Sequence, residues 1–135
     1  MKHQDITILG AGSWGTALAI QLAENGRIVH LWGRDPAHLQ SMQATHYNQR
    51  YLPENRLADQ IKIQADLEKA VTAAQDILMA VPSHSFRETL LKIKPYLTSR
   101  SRIISAAKGL DPVHHQLLHD LANLLLGGGQ VFSCA

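Results

Sequence analysis

The stretch ITILGAGSWGTALAIQLAENG, residues 6–26, decides how the rest of the chain is read. Ile6, Thr7, Ile8 and Leu9 run directly into Gly10-Ala11-Gly12-Ser13-Trp14-Gly15, and a helical pattern of small and apolar residues follows. The glycines stand at the spacing G-x-G-x-x-G. Gly10 would end a strand in a tight turn, Gly12 would leave bare backbone for a pyrophosphate to approach, and Gly15 would let the new helix pack close to the strand. The first N–H groups of such a helix lack intrahelical partners and lie at its positive end, so they suit a dinucleotide's pyrophosphate. The spacing alone also occurs in turns that exist only for packing. A strand before it and a helix after it are the context that gives it meaning.

Working outward, the chain alternates strand-like and helix-like segments. The strands are expected at Ile6–Gly10, Arg27–Trp32, Ile61–Gln64, Asp76–Val81, Arg102–Ala106 and Gln130–Ser133. Helices are expected at Trp14–Asn25, Pro36–Thr45, Asp66–Ala74, Ser83–Tyr96 and Pro112–Leu126. Strand followed by helix, repeated, is the mark of a parallel sheet covered on both faces. The expected fold is therefore α/β, a Rossmann-type doubly wound sheet in strand order 3-2-1-4-5-6. Residues 1–135 form one dinucleotide-binding domain, a length that buries a single core. Asp66 and Asp111 fit as helix N-caps, Pro112 as a first helical residue, and Pro95 falls near a helix end.

The end of the second strand, HLWGRD, bears on cofactor choice. An acid about 20 residues past the glycines holds the ribose 2′-hydroxyl of NAD, whereas an Arg accommodates a 2′-phosphate. Arg34 comes first here, which favours NADP(H) and leaves NAD(H) open. Asp35 reads as the cap of the helix beginning at Pro36 rather than as a ribose ligand. Ligands in open α/β sheets sit outside the carboxyl ends of the strands, so Pro82-Ser83-His84-Ser85-Phe86 should border the cofactor. Lys108-Gly109 follows the next strand; a lysine there can meet a phosphate or a polarised carbonyl, or stay solvated.

Composition narrows the classes. The chain is 45% apolar and 18% charged, with a formal charge of +2, and carries no basic block that would suggest nucleic acid. No apolar run reaches the roughly 18 residues of a membrane span, and the polar start lacks the apolar core of a signal peptide. A cytoplasmic protein is expected. The single Cys134 excludes an internal disulfide and a clustered cysteine metal site. His115 and His119 lie one helical turn apart without an accompanying acid, and no metal is expected. Ser83-His84-Ser85 is too compact to divide into nucleophile, base and orienter. Leu117, Leu118, Leu121, Leu124 and Leu125 make a helix face suited to core, domain interface or self-association, which leaves a homodimer open.

Five blocks, GAGSWGTALA, LWGRD, YLP at Tyr51-Leu52-Pro53, AVPSHSFRE and AAKGL, stand in an order and spacing that resembles bacterial NAD(P)-dependent glycerol-3-phosphate dehydrogenase from Ile6 to Ser133. The resemblance implies that Ser13 and Trp14 contact the pyrophosphate side of NADP or NAD, along the loop of Gly10, Gly12 and Gly15. It places Arg34 at the adenosine 2′ position, Tyr51 near the cofactor, and Phe86 at the nicotinamide end. Lys108 matches a lysine that touches both cofactor and glycerol phosphate. The implied reaction interconverts dihydroxyacetone phosphate and sn-glycerol 3-phosphate, a precursor of glycerophospholipids. Family members continue through Gly-Pro-Ser-Phe-Ala into a helical domain that holds the proton-acceptor lysine. Here Cys134 stands where their Gly would be, which implies a cofactor domain cut off or shifted out of frame at its sixth strand. By that reading no catalytic residue lies within the chain, the proton-acceptor Lys falling beyond residue 135, and the chain alone binds NADPH with negligible turnover. The reading from another class is a stand-alone dinucleotide-binding module that regulates a partner without catalysis.

Overall fold

The computed structural model describes residues 5–105 and 131–133. Six parallel strands form one sheet: β1 (Ile6–Leu9), β2 (Val29–Trp32), β5 (Ile61–Ile63), β6 (Asp76–Met79), β7 (Arg102–Ser105) and β8 (Val131–Ser133). Their order across the sheet is β5-β2-β1-β6-β7-β8, the 3-2-1-4-5-6 arrangement expected of a doubly wound fold. Among the described residues four α-helices accompany it: α1 (Ser13–Glu24), α2 (Pro36–Thr45), α3 (Leu67–Thr72) and α4 (Ser83–Ile93). The expected helix Pro112–Leu126 lies outside the described residues, as do Asp111, the histidines at 114, 115 and 119, the leucine face and Cys134.

Continuous apolar strands make the sheet. Every residue of β1 and of β6 is buried, which follows from helices covering both faces of a parallel sheet. Ile8, Leu31, Ile77 and Ile103 have no exposed surface and form the middle of the core with Leu39, Phe86, Leu90 and Ile93 from the helices. Thr7 is equally buried, and its hydroxyl is satisfied by donating to the Ala70 carbonyl at 2.6 Å.

The elements end where local chemistry ends them. β1 stops at Leu9 because Gly10 turns to φ 123°, where a Cβ would also stand 2.6 Å from the Ala80 carbonyl oxygen. α1 closes at Gly26, φ 86°, and Arg27 N–H returns to the Leu22 carbonyl, so β2 begins at Val29 rather than Arg27. α4 gives way at Lys94 to a 3₁₀ turn, Lys94–Tyr96, because Pro95 cannot donate to the α-helical ladder. α3 is shorter than expected, and Asp66 caps it by accepting from Lys69 N–H at 3.2 Å.

One element has no counterpart in the sequence reading. β3 (Tyr47–Asn48) and β4 (Leu52–Arg56) pair antiparallel as a small separate flap after α2. Register brings Leu9 level with Trp32 on one side and with Met79 on the other. Gly10, Gly33 and Ala80 consequently emerge together at the carboxyl edge of the sheet, with the flap beside them.

Candidate functional site

A cleft of about 640 Å3 opens at that carboxyl edge, where the strand order reverses between β1 and β6. The Gly10–Trp14 loop forms its floor; Gly33, Arg34 and Asp35 line one side, Ala80 to Pro82 with His84 and Ser85 another, and His38, Arg50 and Tyr51 a third.

The glycine loop shows why each position is small. A Cβ on Gly15 would lie 1.8 Å from the Gly10 carbonyl oxygen, so α1 can cross the end of β1 this closely only with glycine there. A Cβ on Gly12 would meet nothing within 4 Å. Gly12 itself lines the cleft, so bare backbone is offered to whatever the cleft holds. Gly12 is the N-cap of α1, and no side chain caps the helix. The positive end of its dipole therefore opens on the cleft. α4 also begins without a side-chain cap, at Pro82. These features fit a dinucleotide diphosphate by shape and by polarity.

The adenosine side, as the sequence reading places it, is built from charge pairs. Arg34 follows β2 by two residues; its Nη1 donates to Ser85 Oγ at 2.8 Å and its Nη2 lies 3.4 Å from Glu88 of α4. Asp35 caps α2 as expected, accepting from the N–H groups of Ala37 at 3.0 Å and His38 at 3.4 Å. Its other oxygen pairs with Arg50 Nη2 at 3.1 Å. The Arg50 hydrogen bond, reinforced by the backbone N–H groups, holds the Asp35 carboxyl below its ordinary value of 3.8. The same contact raises the Arg50 guanidinium.

Asn48 of the flap joins these parts, and nothing in the sequence singled it out. It is wholly buried. Its Nδ2 donates to the Ala11 carbonyl at 3.0 Å and to Thr16 Oγ1 at 2.8 Å. Its Oδ1 accepts from Tyr51 N–H at 3.1 Å and pairs with His38 Nε2 at 2.8 Å. Because Oδ1 can only accept, His38 carries its proton on Nε2 in this arrangement. The Tyr51 ring meets the His38 ring edge-on, with centroids 5.6 Å apart. One buried amide thus ties the glycine loop, α1, α2 and the flap together.

Of the residues singled out from the sequence, Gly10, Gly12, Ser13, Trp14, Arg34 and Tyr51 come together around the cleft. Gly15 acts from behind, through packing. Phe86 does not reach the cleft wall: its side chain is fully buried in the core beneath α4, while its neighbours His84 and Ser85 face the opening. An apolar ring on the inner face of an amphipathic helix is drawn to the core. Lys108 lies outside the described residues. Among the described residues, no three His, Cys, Asp or Glu gather where they could hold a metal, and no helix is long and apolar enough to cross a membrane.

Residues 5–134 match the family model described as NAD-dependent glycerol-3-phosphate dehydrogenase N-terminus. The chain belongs to that family. It is 50% identical over 128 residues to a protein of Shewanella sp. (strain W3-18-1) named glycerol-3-phosphate dehydrogenase, NAD(P)+, covering 94% of this chain and 38% of that one. A namesake from Bartonella tribocorum is 48% identical over 127 residues, with the same coverage. Among solved structures, the glycerol-3-phosphate dehydrogenase of Coxiella burnetii superposes with a TM-score of 0.88 at 41% identity, over 96% of this chain and 39% of that one. The chain thus spans less than half the length of the relatives it matches, and the matched part is their N-terminal, cofactor-binding region.

Proposed function

We propose that this chain is the cofactor half of a glycerol-3-phosphate dehydrogenase and that its cleft binds NADP(H) or NAD(H). The observation that carries the reading is the bare, uncrowded backbone of Gly12, which lines the cleft at the uncapped start of α1. The family's reaction, interconversion of dihydroxyacetone phosphate and sn-glycerol 3-phosphate in the cytoplasm for glycerophospholipid synthesis, is the activity the chain would serve. The bound nicotinamide supplies hydride chemistry. The chain's own residues bind and orient. The Gly10–Gly15 loop and the α1 dipole receive the pyrophosphate, with Ser13 and Trp14 beside it. Arg34 takes the adenosine 2′ position, held there by Ser85 and Glu88, and Tyr51 closes that end from the flap. Lys108, by its match to the family, reaches both cofactor and substrate phosphate.

Tryptophan fluorescence tests the cleft, since Trp14 is half exposed on its floor while Trp32 is buried. Saturable quenching by NADPH and by NADH is expected, tighter for NADPH. Arg34→Ala should weaken NADPH by about tenfold, the scale of one charge-assisted hydrogen bond, and NADH far less. Absence of saturable binding in a sample whose circular dichroism shows a folded α/β protein would sink the reading.

A further inference from the structure

In dinucleotide sites the acid that follows the second strand selects NAD by holding the ribose 2′-hydroxyl, and its charge repels a 2′-phosphate. Asp35 stands three residues beyond β2 and lines the cleft, so it is placed to exert that repulsion. Three of its roughly four lone-pair sites are already engaged. Oδ1 is occupied by the N–H groups of Ala37 and His38, and Oδ2 by Arg50 at 3.1 Å. Arg50 belongs to the turn of the flap, outside the glycine loop and the β2 end where cofactor preference is usually sought.

Resting on the reading of the cleft as a dinucleotide site, we infer that Arg50 is a second determinant of 2′-phosphate recognition: it cancels the Asp35 charge and offers its own guanidinium to the phosphate. Three observations support this. Arg50 lines the same cleft as Arg34, and its partner Asp35 is Arg34's chain neighbour, so both cations serve one end of the cleft. Arg34 is held from the α4 side by Ser85 and Glu88, whereas Arg50 approaches from the flap, so the two bracket the end of β2. Arg50 is also aimed rather than loose: the neighbouring Tyr51 backbone is anchored to Asn48, and the guanidinium carbon lies 6.0 Å from the Tyr51 ring centroid. A guanidinium has five N–H donors in a planar fork, so one contact to Asp35 leaves capacity for a phosphate.

The test titrates the chain and its Arg50→Gln variant with two matched pairs of probes, NADPH with NADH, and 2′,5′-ADP with 5′-ADP. The members of each pair differ in the 2′-phosphate, and the smaller pair reads the adenosine end without the nicotinamide. The unaltered chain should prefer the 2′-phosphorylated member of each pair. Arg50→Gln should weaken those members by about tenfold while NADH and 5′-ADP bind as before or more tightly, as Asp35 is released to a ribose hydroxyl. Retained NADH binding shows in the same sample that the variant is folded. Equal weakening of both members, no change in either, or no initial preference overturns the inference and leaves the cleft assignment standing. Failure of the unaltered chain to bind any of the four overturns the cleft assignment itself.

Discussion

Asn48, itself without exposed surface, donates to Ala11 and Thr16 and accepts from Tyr51 and His38. Asn48→Ala removes all four contacts at once and leaves buried groups without partners, each costing about 1–3 kcal/mol, so a loss of at least about 3 kcal/mol is expected in urea unfolding. Binding of NADPH and NADH should fall together, because the amide holds the glycine loop rather than either cofactor's distinguishing group. A variant as stable as the parent would show that water replaces the amide. The Asp35–Arg50 pair makes a prediction about pH. The Asp35 carboxyl is depressed in the folded chain, so its stabilisation is fully present above the ordinary 3.8 and is lost as pH falls through the lower folded value. The difference in melting temperature between the parent and Arg50→Gln should therefore be flat from about pH 8 to 5 and shrink only in strong acid. A difference that declines between pH 7 and 5 would assign the contribution to some other group. At this scale the sequence was partly legible. Arg34 and Asp35 announce themselves by following an apolar strand after a glycine loop, whereas the Asn48 contacts to Ala11 and Thr16 span 37 and 32 residues and leave no local pattern.

The glycine loop separates packing from binding within one element. Gly15 faces the Gly10 carbonyl at a distance no Cβ can share, so Gly15→Ala must push α1 off the sheet. Overpacking of this kind costs about 1–3 kcal/mol and more where the obstacle is backbone, and chemical denaturation should show a loss at the upper end or beyond. Gly12 has an ordinary backbone, φ −79°, and free space where its Cβ would be. Gly12→Ala should leave stability within about 0.5 kcal/mol of the parent while weakening both cofactors, since in the proposed binding mode the added methyl would crowd the pyrophosphate. If Gly12→Ala bound NADPH as tightly as the parent, the pyrophosphate would lie elsewhere. Both roles follow from the G-x-G-x-x-G spacing, because a strand, a turn and a helix of fixed geometry dictate them. The flap did not follow. β3 has two residues, β4 carries Pro53 and four exposed positions out of five, and their pairing is irregular between Tyr47 and Asn48, so neither shows the alternation that marks a half-buried strand. The flap nonetheless supplies Asn48, Arg50 and Tyr51, which is why the third wall of the cleft was legible only at Tyr51.

Across the molecule, parallel strands give the sheet two unlike ends. At the carboxyl end, three strand–helix turns converge with the flap on the cleft. At the amino end, Asp76 begins β6 in register with Ile6 and Arg102, and it is 7% exposed. Its carboxylate accepts from Arg102 Nε at 2.7 Å and lies 3.6 Å from Arg27 Nη2. Two arginines, one from the connection between α1 and β2 and one opening β7, thus clamp one nearly buried acid at the edge where β6 and β7 start, and alternation of strand and helix in the sequence could not reveal that pairing. Removing the charge leaves two cations facing each other over an amide. Half of the Arg102 side chain is in water, which screens the loss, so Asp76→Asn should cost about 1–2 kcal/mol rather than the larger penalty of a fully buried pair. Because the sheet's rigid core stands between this end and the cleft, the affinities for NADPH and NADH should be those of the parent wherever the variant is folded. Parallel measurement of urea unfolding and fluorescence titration checks both halves of that statement. A change in cofactor affinity at unchanged stability would mean that the two ends of the sheet are coupled through β6, the strand that begins at Asp76 and ends just before the cleft wall at Ala80.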